Sequence, residues 1–379
     1  MSLNIWNKWG KLKTVLLGTV HPIEFYNGIK STKISDPLKR IAEESMEDLD
    51  NFEKILKDFG TKVIRTPTIS RPSITDYFES RYEHMKVPRN ALQPRDGQLV
   101  VGNKMIMWSL DNKGITKTII KYCKDNENKL IFHPTFFKDT DYRIWEDNEY
   151  SDKWDIKFEP NVVTNIVNPE SAEMMGYASP SITIVGKDII IDAKEINENN
   201  RNWFKQKVSN FRINTVEIGG HNDSCFHTLK EGAIISLMDI QNYEKSFPGW
   251  DVCYLPDQSW EKVKPFLIMK QKVEGKWWLP GEEKNDAFIN FVETWLGEWV
   301  GYVEETVFDV NVCVLDEHHV CVTNPNNKKV NDFLKKHKME PVHVPWRHRF
   351  FWDGGLHCIT LDLEREGDQV DYFPNREEL

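Results

Sequence analysis

The chain has 379 residues, 40% of them hydrophobic and 12% aromatic, with a formal net charge of −10. That is ample for a large core, in one closed architecture or two domains. The interspersed acidic and basic residues argue against a general nucleic-acid-binding surface. No run approaches the roughly 18 apolar residues of a membrane span. The first residues, M-S-L-N-I-W-N-K-W-G, lack the apolar core of a signal peptide, so a cytoplasmic protein is expected. Cys123, Cys225, Cys253, Cys313, Cys321 and Cys358 form no C-x-x-C pair. Free thiols are expected, with no zinc or other metal and no cofactor.

In chain order, Leu12 to Leu17 reads as a strand stopped by Gly18. A helix follows, with Asp36 as its N-cap, Pro37 in its first turn and Gly60 just past its end. Thr61 to Arg65 is the next strand. Hairpins are then predicted over Gln98 to Met107 and Ser181 to Asp192, each around a glycine turn, and again over Ser224 to Ser236 and Val312 to Thr323. Several are followed by a helical stretch and a further strand, so a hairpin–helix–strand unit recurs four or five times. Units of this kind that close around a centre give a propeller with an axial pocket. Tyr77 to Arg89, Leu130 to Glu159 and Gly275 to Trp299 break the pattern and read as insertions or loops over one end.

Three polar constellations stand beside predicted strands. Pro94-Arg95-Asp96 precedes the hairpin at Gln98. Gly219-Gly220-His221-Asn222-Asp223-Ser224 precedes the next-but-one hairpin, and two-residue spacing on an extended backbone would put His221 and Asp223 on one side. Near the C-terminus, D-G-G-L-H-C-I-T (Asp353 to Thr360) places two glycines before Cys358, which would let the backbone turn sharply and leave the thiol open. His227 reads as structural, and the His318-His319 pair as a solvated hairpin tip. A thiol, an imidazole and two carboxylates from separate units suit covalent chemistry on a planar cation. The thiolate attacks, the carboxylates hold the cation by paired hydrogen bonds, and the imidazole moves protons. A guanidinium is the natural target.

These blocks carry a family resemblance. N-K-W-G-K-L-K-T-V-L-L-G, Q-P-R-D-G-Q-L-V-V-G-N, H-N-D-S-C-F and G-G-L-H-C-I-T-L-D-L-E-R-E-G-D-Q-V-D-Y-F-P are similar to the amidinotransferases of the guanidino-group-modifying superfamily, which include glycine amidinotransferase and cyanobacterial toxin-pathway enzymes. The resemblance covers nearly the whole chain and implies one domain over residues 1–379, a five-bladed α/β propeller of ββαβ units with pseudo-fivefold symmetry. It implies Cys358 as nucleophile, His221 as general acid and base, and Asp96 and Asp223 as the carboxylates that hold the guanidinium. Its partners would be a small guanidine donor and an amine acceptor, with no nucleic acid or membrane; a homodimer is left open.

The departures from the family pattern concern the amino-acid end of the substrates. Ala178 stands where the family has the aspartate that orients the histidine, with Glu170 and Glu173 nearby. Met238-Asp239-Ile240 occupies the neighbourhood of a donor-reading arginine, and Glu304-Glu305 aligns with a serine pair. Ile218 and Gly220 replace an asparagine and a methionine. With Arg95 they complete the expected substrate-binding surface, which favours an acceptor or donor larger than glycine and amine-rich. Two other functions stay open at this level: a guanidine hydrolase of the same superfamily, and a catalytically impaired guanidine-binding protein.

Overall fold

The computed structural model describes residues 2–68, 70, 72–78, 87, 89–108, 112–134, 179–193, 196–218, 221–237, 243–255, 279, 281–282, 284–297, 299–300 and 309–376. The fold is mixed α/β. Strand β1 (Leu12–Leu17) leads into the long helix α1 (Thr32–Asp58) and then β2 (Lys62–Arg65). A second unit runs β3 (Gln98–Val101), β4 (Lys104–Met107), α2 (Lys113–Asp125) and β5 (Lys129–Phe132). The third is β6 (Ile182–Val185), β7 (Asp188–Asp192), α3 (Glu198–Lys207) and β8 (Arg212–Val216).

A short helical turn, α4 (Asn222–Cys225), opens the fourth unit, followed by β9 (Phe226–Lys230), β10 (Ala233–Leu237), α5 (Tyr243–Ser246) and β11 (Asp251–Leu255). Helix α6 (Asp286–Trp295) precedes the fifth set: β12 (Cys313–Asp316), β13 (His319–Val322), α7 (Lys328–Lys336) and β14 (Glu340–His343). The chain then makes the turn α8 (Arg349–Trp352) and returns as β15 (Thr360–Arg365).

Among the described residues these strands form five three-stranded sheets of one topology. In each, the first two strands are antiparallel and the second and third are parallel, joined across a helix. The sheet containing β1 obeys the same rule, with the C-terminal strand β15 supplying the first position. Burial falls outward within a sheet. The first strands β3 and β6 are buried throughout, whereas the third strands β2, β5 and β14 are half-exposed or exposed along most of their length. Strands β6 and β7, I-T-I-V and D-I-I-I-D, are covered on both faces, which explains runs of β-branched residues rather than strict alternation. Gly186 turns between them at φ +62°, and a Cβ there would also meet the Val370 carbonyl at 1.9 Å.

Two sequence expectations change here. Helix α1 starts at Thr32 with Ser31 as N-cap, so Pro37 lies inside it and Asp36 is no cap. A proline interior to a helix leaves the carbonyl four residues back without its donor. That carbonyl belongs to Lys33, and Asn285 Nδ2 donates to it at 2.7 Å, which lets the helix continue. The stretch from Gly275 to Trp299, expected as loop, contains α6, whose Phe288, Ile289 and Val292 are buried and which packs on α1. Leu130 to Phe132 likewise belong to β5, while 135–178 lie outside the described residues. Of Tyr77 to Arg89, Tyr77 ends a buried 3₁₀ turn and most of the rest is also outside them. No helix among the described residues is long and apolar enough to cross a membrane.

Helix α1 also fixes the segment that leads to Cys358. Trp352 Nε1 donates to Ser45 Oγ at 2.7 Å, Arg347 Nε to Asp48 Oδ1 at 3.0 Å, and His348 Nε2 pairs with Glu44 at 2.6 Å. The turn α8 is thereby bolted to a 27-residue helix before the chain enters the glycine loop.

Candidate active site

One position recurs in the units: the residues just before the first strand of each sheet. Asp96 stands two residues before β3, Asn311 two before β12, and Cys358 two before β15. Asp223 stands three before β9, and Pro180 holds the corresponding place before β6. Three of these meet directly. Cys358 Sγ receives a hydrogen bond from Asn311 Nδ2 at 2.9 Å and lies 3.8 Å from Asp223 Oδ2.

The thiol is not open, as the sequence suggested, but 3% exposed. Its glycines act through close approach, since neither Gly354 nor Gly355 has a positive φ. A Cβ on Gly355 would sit 2.5 Å from Asn311 Oδ1, and one on Gly354 would sit 2.8 Å from Gln93 Nε2. The left-handed residue of this loop is Asp353, at φ 47° and ψ 56°, which ends α8. Thr360 Oγ1 then donates to the carbonyls of Leu356 and His357 at 3.0 and 3.1 Å, closing the loop onto β15.

The acidic partner is set differently from the expectation. His221 has extended angles but caps the α4 turn, and Asp223 lies inside that turn, so the two do not share one side of a strand. The turn forms because Ser224 closes back on the His221 carbonyl through its N–H at 3.2 Å and its Oγ at 2.8 Å. It is pinned by Asn222, whose Nδ2 donates to Thr183 Oγ1 and the Ile190 carbonyl, both at 3.1 Å. Asp223 is 3% exposed, and its Oδ2 also meets His357 Nδ1 at 2.6 Å. A carboxylate only accepts, so Nδ1 carries the proton and donates. Burial, then the charges of Arg95, His227, Lys8 and Arg365, push His357 well below the ordinary imidazole range, so it is neutral. It steadies the carboxylate without cancelling its charge.

Behind this layer lies a buried charge cluster. Arg95, expected on the substrate surface, is 1% exposed and turned inward. Its Nε donates to the His357 carbonyl at 3.1 Å, and its Nη2 lies 3.5 Å from Asp362. It supports the Cys358 loop through the His357 carbonyl and ties that loop to Asp362 on β15. Asp362 also pairs with Arg365 at 2.9 Å. Burial alone would raise Asp362, but Arg365, Lys8 and Arg95 hold it well below the usual carboxylate range. Lys8, 3% exposed, is lowered to about 7 by burial and then by Arg95. His227 stacks edge-on to His357 with ring centroids 4.7 Å apart and is lowered to about 3, chiefly by burial.

Asp96 occupies a different setting. It is half-buried in the wall of a shallow, partly open recess whose described walls include Arg89, Asn90, Gln93, Gln98 and Asn112. Gln93 links this recess to the thiol loop, donating from Nε2 to the Trp352 and Asp353 carbonyls at 3.0 and 2.8 Å. Ile218 is buried, and its N–H donates to Asp192 at 3.4 Å. Ala178, Gly220, Glu304 and Glu305 lie outside the described residues. Sequence reasoning missed Asn311, Gln93 and the role of His357. The place of Asn311 before the first strand of its sheet was the available signal.

No family model matches the chain. It is 24% identical over 339 residues to an L-arginine:L-lysine amidinotransferase of Pseudomonas savastanoi pv. phaseolicola, covering 86% of this chain and 80% of that protein. In sequence the chain is thus similar to an amidinotransferase. Its fold is that of the amidinotransferase SxtG of Microseira wollei, from saxitoxin biosynthesis, with a TM-score of 0.63 at 19% identity over 98% of this chain and 99% of that one. It also matches the inosamine-phosphate amidinotransferase StrB1 of Streptomyces griseus, with a TM-score of 0.60 at 16% identity over the same shares. The same mixed α/β fold appears in an agmatine deiminase of C. jejuni at a TM-score of 0.51 and 12% identity, over 97% of each chain.

Proposed function

We propose that the chain moves an amidino group from a guanidine donor to an amine acceptor through an amidino-cysteine at Cys358. The observation that carries this is the carboxylate of Asp223 held 3.8 Å from the Cys358 sulfur. A thiolate and a carboxylate at that spacing repel, by about 4 kcal/mol at an effective dielectric constant of 20. A guanidinium placed between them removes the repulsion, so donor binding itself favours the thiolate. The sulfur then attacks the amidino carbon, the bond from that carbon to the donor nitrogen breaks, and His221 supplies the proton that the departing amine takes. In the second half the acceptor amine attacks the same carbon, loses a proton to His221, and the carbon–sulfur bond breaks. Asp96 holds the cationic substrate from the recess side, across Gln93.

We read residues 1–379 as one cytoplasmic domain in which the five sheets are the blades of an α/β propeller. The common strand order and the inward rise in burial support it, as does the sharing of one sheet by the two ends of the chain. The site residues would then ring the axis. For the acceptor, Ile218, Gly220, Glu304 and Glu305 favour an amine larger than glycine and rich in nitrogen. The Pseudomonas relative's name pairs arginine with lysine, which is such an amine. A panel of amines offered with arginine, with products identified by mass spectrometry, tests this. Lysine-like and polyamine acceptors are expected to be amidinated faster than glycine; preferential transfer to glycine would overturn the assignment.

A further inference from the structure

We infer that Asn311 is a positioning residue for the Cys358 sulfur, donating to Sγ from one end of its amide while the other end clamps the backbone that carries it. The inference rests on Cys358 being the nucleophile. The N–H groups of His357 and Cys358 approach Asn311 Oδ1 at 2.8 and 3.3 Å. Only an oxygen accepts those bonds, so the amide orientation is fixed and Nδ2 must be the end that faces sulfur, at 2.9 Å. Asn311 is 5% exposed, so little water competes with it. Gly355 lacks a Cβ at the place where one would strike this side chain. The site is thus built around the contact.

The contact has a chemical consequence. A hydrogen bond donated to a sulfur favours the thiolate over the thiol, since the charged form is the better acceptor. Asp223 Oδ2 on the facing α4 turn works in the opposite direction. The other ionisable groups around the loop include Asp353 and His357 within it, His221 at the head of α4, His227 on β9, Arg95 before β3, Lys8, and Asp362 and Arg365 on β15. Those on β15 and Lys8 act from behind, through the His357 and Arg95 layer. Asn311 donates to Sγ, and Asp223 faces it as an anion. We expect the balance between them to set how much thiolate is present before the donor arrives.

The pH dependence of Cys358 alkylation by iodoacetamide, read by peptide mass spectrometry on the full chain without substrate, tests this. Asn311→Asp keeps an oxygen for the two backbone N–H groups and replaces the donor with a carboxylate oxygen. Its alkylation midpoint should rise by about one pH unit or more, slowing alkylation at neutral pH about tenfold. Asn311→Ala, which drops the donor without adding charge, should shift it the same way by less. Gly355→Ala, which displaces the amide sterically, gives a third route if either of those does not fold. An unmoved midpoint in whichever of these variants folds overturns the inference, because a merely structural residue would change the melting temperature and leave the thiol's titration alone. A wild-type Cys358 that alkylates normally yet never carries an amidino group would instead sink the transfer reading and leave this one standing.

Discussion

The loops before β9, β12 and β15 differ sharply from the loop before β3. In the first three, Asp223, Asn311, His357 and Cys358 are each at most 5% exposed and bonded to one another across sheets. In the last, Asp96 is only half-buried, and it shares an open recess with the exposed Arg89 and several amides. On the proposed reading, Cys358 is preorganised in a dry setting, where hydrogen bonds and charges act strongly, and the more exposed recess beside Asp96 meets the rest of the substrate. Chemistry and selectivity would then be housed in different loops of one repeated architecture.

That contrast predicts a graded set of effects. Cys358→Ala should abolish turnover entirely while the protein still folds with a modestly lower melting temperature, since the loop keeps its backbone and Thr360 bonds and loses only the Asn311 contact to sulfur. Activity assay and thermal melt together check it. Asp223→Asn removes the charge from the dry side and should lower kcat/KM about 30-fold to several thousand-fold, the range for unpairing a buried charge from its partner. Asp96→Asn removes a charge from the wetter side, so about a tenfold loss is expected, mostly in KM. Equal losses for the two variants would erase the distinction between the regions.

A further prediction concerns the stability of the cluster beneath the thiol. Lys8 has a folded-state pKa near 7 against an ordinary 10.5. Between those values the unfolded chain holds a proton that the folded chain has released, so stability should rise with pH across that window. Below about 7 both states are protonated, and the cost of burying the charge is fully felt. Lys8→Met should flatten the rise and increase stability at neutral pH. Denaturant melts from pH 7 to 10 measure this, and an unchanged slope would show that the buried cation is compensated elsewhere.

Much of this organisation is legible from sequence. Apolar runs around Gly102, Gly186 and Gly232 mark their hairpins, because a positive φ at the turn is a local demand. The repeating unit follows from the strand–helix–strand spacing. Cys358 and Asp223 stand out through their glycine-rich and polar surroundings. What the sequence hides is set by distant partners. Pro37 looks like a helix start until Asn285 is found on the carbonyl it leaves free. Arg95 looks like a substrate group until Asp362 and the His357 carbonyl draw it inward. Asn311 carries no local signature at all; its importance appears only when its unit is laid against the other four.

The central claim is a covalent amidino group on Cys358, and it is tested most directly by mass spectrometry of the intact protein after brief exposure to arginine without an acceptor. The account predicts a mass increase of one amidino group, mapped by peptide analysis to Cys358 and lost on adding an amine that takes it up. An amidino group on any other cysteine, or substrate turnover with none on the protein at any time, would contradict it.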